Sequence, residues 1–150
     1  MTTVEYGATA EELCALYREY DWWSDRDEAD VRRSLRHTDE TVLLRESDAS
    51  DAENGSVHPV AAARVLTDYT FYAMVYDVIV TEDRRGEGVG EELMAAVRDH
   101  PRLQDVNPSL LAREGLVPFY EDCGFEVMDE NIEHPDGDPE SLSWLVHSRE

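Results

Sequence analysis

Two periods alternate along this chain. Apolar residues recur every three or four positions in some stretches and cluster in short β-branched runs in others, and the change from one to the other marks out the elements. Val4-Glu5-Tyr6 reads as a short strand. Thr9 follows as an N-cap, with Glu12 three residues on completing a capping box, and Leu13, Leu16, Tyr17 and Tyr20 fall at helical spacing. Asp21-Trp22-Trp23-Ser24-Asp25-Arg26 breaks that helix; a second runs from about Glu28 to His37, with Val31 and Leu35 at i, i+4. Thr41–Leu44 predicts a strand, residues 47–56 a polar hairpin loop, and His58–Leu66 the returning strand. Thr67-Asp68-Tyr69 turns into a long strand, Thr70–Val80, and a helix follows to about Asp99, where His100-Pro101 stops it. Ser109–Ala112 predicts a strand parallel to the long one, reached through that helix as a crossover. Leu116–Cys123 reads as a helix with Gly124 at C′, Phe125–Met128 as a strand, Asp129–Glu140 as an acidic loop and Leu142–Val146 as the closing strand. The expected fold class is mixed α/β (α+β), one domain over residues 1–150, with no internal repeat and no long linker.

One junction carries chemistry. Val78-Ile79-Val80 ends the long strand, and Arg84-Arg85-Gly86-Glu87-Gly88-Val89-Gly90-Glu91 leads into a helix with an acidic first turn. Glycines admit positive φ and close approach of a ligand; successive N–H groups and a helix N-terminus then form an anion site, most naturally for phosphate. Arg84 and Arg85 bring full charges beside it. An ordinary glycine-rich connection is the plain alternative. The spacing Gly86-x-Gly88-x-Gly90 is not the dinucleotide fingerprint, and the chain has no lysine for a P-loop or a kinase strand.

Charge changes the picture next. The chain carries 13 Lys+Arg, all arginine, against 35 Asp+Glu, for a formal net charge of -22. In ordinary salt that much like charge opposes compaction and repels polyanions, whereas at molar salt the Debye length falls to about 3 Å. The balance points to a salt-adapted cytoplasmic protein of a halophile, with a very acidic mesophilic protein as the alternative. It argues against nucleic-acid and anionic-membrane partners. No apolar run approaches the roughly 20 residues of a membrane span, and the start of the chain shows no secretion signal. Cys14 and Cys123 lack metal-like spacing, and the five histidines are scattered, so no metal is expected. Cys14 lies on an apolar helix face and reads as core.

Arg85-x-x-Gly88-x-Gly90 directly after a strand resembles the motif with which GCN5-related N-acetyltransferases (GNAT) hold the pyrophosphate of acetyl-CoA. Phe119-Tyr120-Glu121-Asp122-Cys123-Gly124-Phe125 is similar to a second motif late in that family, and the order β-α-α-β-β-β-α-β-α-β-β matches its fold across essentially the whole chain. The segments Ala63–Tyr69, Asp77–Val80, His100–Gln104 and Leu110–Ala112 resemble a broad bacterial and archaeal subgroup. The resemblance implies a mixed sheet of six or seven strands with about four helices, its central strands splayed in a V. It implies a cofactor-binding set of Val78, Ile79, Val80, Arg85, Gly86, Glu87, Gly88, Val89, Gly90 and Glu91. The implied reaction is transfer of an acetyl group from acetyl-CoA, the acyl-donor cosubstrate, to an amine by direct attack through a tetrahedral intermediate.

The same resemblance places Tyr120 as the acid that protonates the leaving thiolate; packing of its ring is the competing reading. For the base that takes the amine's proton, Asp77 stands first, with Glu82, Glu114 or water behind it. A structural hydrogen bond within the strand is the competing reading of Asp77. Trp22 and Trp23 are expected to bind the acceptor or to staple two helices, and with Trp144 they also suit a homodimer interface. Arg113–Pro118 departs from the polar run that relatives carry there, so acceptor identity, small molecule or protein amine, does not carry over. Two other activities compete: a non-catalytic acyl-CoA sensor on the same fold, and a toxin-type acetyltransferase acting on aminoacyl-tRNA, which the acidity disfavours.

Overall fold

A computed structural model of the chain describes residues 2–47, 57–133 and 141–148. Its elements follow the expected order: β1 (Thr2–Glu5), α1 (Ala10–Tyr17), α2 (Glu28–Arg36), β2 (Glu40–Ser47), β3 (Val57–Thr67), β4 (Ala73–Val80), α3 (Val89–Arg98), β5 (Pro108–Arg113), α4 (Val117–Asp122), β6 (Glu126–Ile132) and β7 (Leu142–Val146). The seven strands form one mixed sheet in the order β1-β2-β3-β4-β5-β7-β6. The chain divides into two compact units, Met1–Leu66 with Tyr76–Val97, and Thr67–Val75 with Arg98–Glu150, so the division falls inside β4.

In the first unit, α1 starts where the sequence places it. The Thr9 hydroxyl accepts from the Glu12 N–H at 3.1 Å, and the Glu12 carboxylate accepts from the Thr9 N–H at 3.0 Å. Two donors of the helix start are thereby satisfied. The apolar face of α1 (Leu13, Cys14, Leu16 and Tyr17) packs with Tyr20, Val31 of α2, Leu43 of β2, Ala62 of β3 and Ile79 of β4. Cys14 is core, as read. In β2 and β3, Val42–Leu44 and Val60–Ala63 are buried at every position. Side chains alternate between the faces of a strand, so both faces of these strands are covered. Antiparallel registers such as Val4↔Leu44 and Leu43↔Ala62 join β1, β2 and β3.

In the second unit, β5 pairs parallel to the start of β4 at Ala73↔Pro108 and Met74↔Ser109, and antiparallel to β7 at Ser109↔Val146 through Arg113↔Leu142. Two expectations shift. The long strand begins at Ala73 rather than Thr70, because the Asp68 carboxylate accepts from the N–H groups of Thr70, Phe71 and Tyr72 and winds them into a turn. The last hairpin also extends further: Asp129–Ile132 is strand, paired at Asp129↔Trp144 and Ile132↔Leu142 through register shifts. The rest of the acidic loop, 134–140, and residues 48–56 of the first hairpin loop lie outside the described residues. Among the described residues no helix is long and apolar enough to cross a membrane.

Candidate functional site

Beyond β4 the chain makes a short 3-10 turn, Glu82–Arg84, before the glycine segment. Gly86 and Gly88 sit at φ 77° and 84°, in the left-handed region that costs an L-residue about 1–2 kcal/mol. The first bond of α3 runs from the Glu92 N–H to the Gly88 carbonyl at 3.1 Å. The amides of Val89, Gly90 and Glu91 therefore lie in the helix's opening turn, where N–H groups have no partner inside the helix. Val89 buries its side chain, whereas Glu87 and Glu91 are exposed. The turn offers backbone donors, as the sequence led one to expect.

The two arginines of the turn differ. Arg84 donates to Glu46 of β2 through Nε at 2.5 Å and Nη2 at 2.8 Å, a forked pair that fastens the turn to the sheet. That guanidinium holds the Glu46 carboxyl below the usual carboxylate range. Arg84 is thus engaged by a carboxylate of the sheet. Arg85 is exposed, its guanidinium carbon stands 4.7 Å from the centre of the Tyr20 ring, and among the described residues it forms no ion pair.

Asp77, midway along β4, is the most densely bonded carboxylate of the site. Its backbone lies at φ 53°. Its Oδ2 accepts from Arg26 Nη1 at 2.8 Å, Arg64 Nε at 2.8 Å and the Tyr17 hydroxyl at 3.1 Å. Burial acts to raise its carboxyl pKa, but the Arg26 and Arg64 guanidiniums outweigh that and hold it below the usual carboxylate value. Burial, and then the Asp77 charge, push the Tyr17 phenol upward. Arg64 also donates to the Thr38 hydroxyl at 2.9 Å. A carboxylate tied to two guanidiniums has little affinity for another proton, so this geometry suits an anchor better than a base.

Tyr17, Tyr20, Trp22 and Trp23 form an aromatic cluster. Trp23 lies 5.6 Å from Tyr17 and 5.8 Å from Tyr20, and Trp22 lies 5.1 Å from Tyr20. Trp23 packs against the core while Trp22 is 57% exposed. One tryptophan staples the α1 exit, and the other stands against Tyr20 at the surface. The Tyr20 hydroxyl donates to the Val80 carbonyl at 2.5 Å, which removes that carbonyl from the groups free to meet a ligand.

In the second unit, Tyr120 of α4 is buried among Phe119 and Phe125, with ring centres at 5.0 and 6.0 Å. Burial raises its phenol pKa, so the hydroxyl stays protonated throughout neutral pH. Phe125 N–H returns to the Tyr120 carbonyl at 3.0 Å, closing α4 around Gly124. Glu114 is exposed and lines a cavity of about 230 Å³ with Val117, Pro118, Glu130 and Ser143. Glu82 is exposed on its turn, where its N–H donates to Glu19 at 3.1 Å.

Sequence reasoning missed the Arg26–Asp77–Arg64 cluster and the Tyr20 contacts. A signal existed: Arg64 interrupts Ala61-Ala62-Ala63-Arg64-Val65, and Asp77 interrupts Tyr76-Asp77-Val78. A charge inside an apolar strand needs a partner, and two such strands carry opposite signs.

Residues 9–125 match the model of the acetyltransferase (GNAT) family. A rice protein (Oryza sativa subsp. japonica) described as serotonin N-acetyltransferase 2, chloroplastic, is 38% identical over 103 residues, 68% of this chain and 49% of that one. The chain spans between 38% and 49% of the length of the curated relatives first matched. Among solved structures, a protein from Xanthomonas campestris pv. campestris described as belonging to the GNAT family is 29% identical, covers 84% of each chain and superposes with a TM-score of 0.64. A GNAT family acetyltransferase from Elizabethkingia anophelis with acetyl-CoA bound shares the fold at a TM-score of 0.71 and 14% identity, over 99% of this chain and 98% of that one. With residues 9–125 matched by the family model and the fold shared with these structures, the chain belongs to the GNAT acetyltransferase family.

Proposed function

We propose that this chain moves an acetyl group from acetyl-CoA to a primary amine, and that its two units act together as one acetyltransferase domain. The observation that carries the reading is the turn after β4. Gly86 and Gly88 at positive φ, the opening amides of α3 and an Arg85 that forms no ion pair among the described residues would make one anion cradle in a chain of net charge -22. Gly86–Glu91 would receive the diphosphate, and the strand groups of Val78 and Ile79 the pantetheine arm. The Val80 carbonyl accepts from Tyr20, and the N–H of Val80 would serve the same arm.

The amine lone pair forms a C–N bond to the thioester carbonyl carbon, a tetrahedral oxyanion develops, and the C–S bond breaks. Tyr120 gives its phenolic proton to the departing thiolate; its hydroxyl is protonated at neutral pH. Of the carboxylates considered as base, Asp77 is engaged by two arginines while Glu114 faces a cavity, so Glu114 or a water takes the amine's proton. Trp22, 57% exposed beside Tyr20, would contact the acceptor. The acceptor is a small amine or a protein amine, and the rice relative's name makes an arylalkylamine the first to try. The acidic surface suits a salt-rich cytoplasm of a halophile and disfavours nucleic acid and membranes as partners. Neither a metal nor a homodimer is needed for this chemistry.

A non-catalytic acyl-CoA sensor is the second reading, and the ion-paired state of Asp77 is the observation on its side. A panel of amines assayed for thiol release at high salt separates the two. Turnover with one amine class supports the enzyme; tight CoA binding without turnover on any amine supports the sensor.

A further inference from the structure

Among the described residues Arg85 forms no ion pair, although the chain carries 35 acidic residues. Several other arginines of the first unit are engaged by carboxylates: Arg45 by Glu5 and Glu12, Arg84 by Glu46, Arg26 and Arg64 by Asp77. Arg85 rests instead over the face of Tyr20, with its guanidinium carbon 4.7 Å from the ring centre. An aromatic face holds a guanidinium through its quadrupole without cancelling its charge. A carboxylate in the same place would bind it more firmly and neutralise it.

Tyr20 is well placed to act as such a mount. It is 6% exposed, its ring is braced by Trp22 and Trp23, and its hydroxyl is fixed on the Val80 carbonyl at 2.5 Å. The preceding residue grips the same turn. Glu19 accepts from the Thr81 hydroxyl at 2.9 Å and from the Glu82 N–H at 3.1 Å, so its carboxylate is engaged there. The exit of α1 therefore sets both the end of β4 and the side chain of Arg85. Nothing in the sequence motif around Gly86–Gly90 includes this residue, which lies 65 positions before Arg85 by the numbering.

We propose that Tyr20 is a positioning residue for the anion cradle: its ring orients Arg85 toward a diphosphate while leaving the guanidinium charge intact, and its hydroxyl locks the strand end from which the cradle starts. The proposal rests on the reading of the turn as the CoA diphosphate site. Tyr20→Leu removes the mount; Tyr20→Phe keeps the ring and removes the hydroxyl, with its bond to the Val80 carbonyl and its contact with the Arg85 guanidinium.

Calorimetry with CoA, and with pantetheine, which lacks the diphosphate, tests it on variants whose folding is checked by circular dichroism. Tyr20→Leu should weaken CoA roughly tenfold and leave pantetheine unchanged, while Tyr20→Phe should stay within about threefold of the wild type for CoA. In an Arg85→Ala background, Tyr20→Leu should cost nothing further, since the group it positions is gone. Equal losses for CoA and pantetheine, or an undiminished effect in the Arg85→Ala background, overturn the proposal in favour of a general packing role. A Tyr20→Leu variant that binds CoA normally, or one that cannot be folded alongside a Tyr20→Phe variant that loses CoA affinity as strongly as Arg85→Ala, overturns it as well. Wild-type protein that binds no CoA removes the diphosphate reading itself, an outcome distinct from all of these.

Discussion

Arg64 on β3 and Asp77 on β4 meet at 2.8 Å, Nε to Oδ2, with both side chains largely out of solvent. The contact joins two charges that each interrupt an apolar strand, and Arg26 adds a second guanidinium to the same oxygen at 2.8 Å. Asp77→Asn removes the charge but keeps a side chain that tolerates φ 53°. Two guanidiniums then lose their counter-charge, and breaking a buried pair in this way costs about 3–5 kcal/mol, less here because Arg26 is 35% exposed. We expect a loss of about 2–3 kcal/mol in denaturant unfolding at high salt. Turnover, corrected for folded protein, should fall less than tenfold; a hundredfold loss at unchanged stability would restore Asp77 as the base.

The same carboxylate makes stability depend on pH. Its folded pKa lies below the unfolded value near 3.9, so the unfolded state binds more protons as pH falls through that range. The contribution is complete above the unfolded value and is lost as pH drops through the lower folded one. Glu12 and Glu46, held down by Arg45 and Arg84, act in the same direction from slightly higher pH. Unfolding midpoints measured from pH 6 to pH 2.5 should fall steeply below about pH 4 in the wild type and less steeply in Asp77→Asn. Parallel curves for the two proteins would show that Asp77 contributes no such linkage.

These charges mark the limit of what the sequence made legible. The element order, the Thr9 capping box and the glycine turn depend on neighbours within a few residues, and local pattern showed each of them. The pairing of Arg84 with Glu46 depends on bringing positions 38 apart onto one sheet, so two adjacent arginines looked alike. Tyr20 has the same history. It stands three residues from Tyr17 on a helical face, which reads as core, and only the tertiary fold shows that its hydroxyl and ring serve Val80 and Arg85. The start of β4 at Ala73 was likewise hidden, because Asp68 overrides the strand preference of Phe71 and Tyr72 through its own hydrogen bonds.

The two neighbouring arginines should separate experimentally. Arg84→Ala leaves Glu46 without its forked partner and should lower the unfolding midpoint, modestly because the pair is partly exposed. Its CoA affinity should stay within about threefold of the wild type. Arg85→Ala should leave the unfolding midpoint nearly unchanged and weaken CoA about tenfold or more, the loss of one charge-assisted contact. Calorimetry and denaturation on both variants give the comparison, and identical profiles would remove the distinction.

Tyr120 offers a cleaner test of chemistry. Phenylalanine preserves the ring against Phe119 and Phe125 and deletes only the hydroxyl. Tyr120→Phe should lower kcat by about a hundredfold, the lower end for loss of a general acid, while KM for acetyl-CoA changes little. A kcat within twofold of the wild type means that the thiolate takes its proton elsewhere and that Tyr120 is a packing residue.

The net charge of -22 bears on the cradle in a way that salt can read. CoA is a polyanion and approaches through a repulsive field that extends about 10 Å at 0.1 M salt and about 3 Å at 1 M. Direct contact with Arg85 and the α3 amides acts at hydrogen-bond range and is screened less than that long-range repulsion. Raising salt therefore removes repulsion first and attraction later. The Kd for CoA should fall from about 0.1 M to near 1 M salt and rise only beyond it. Circular dichroism at each salt concentration keeps folding out of the comparison, because a compact state weakened by self-repulsion at low salt would mimic the effect. A Kd that rises steadily from the lowest salt, in protein folded throughout, means that the local cradle dominates at every distance and the acidic surface has no part in donor binding.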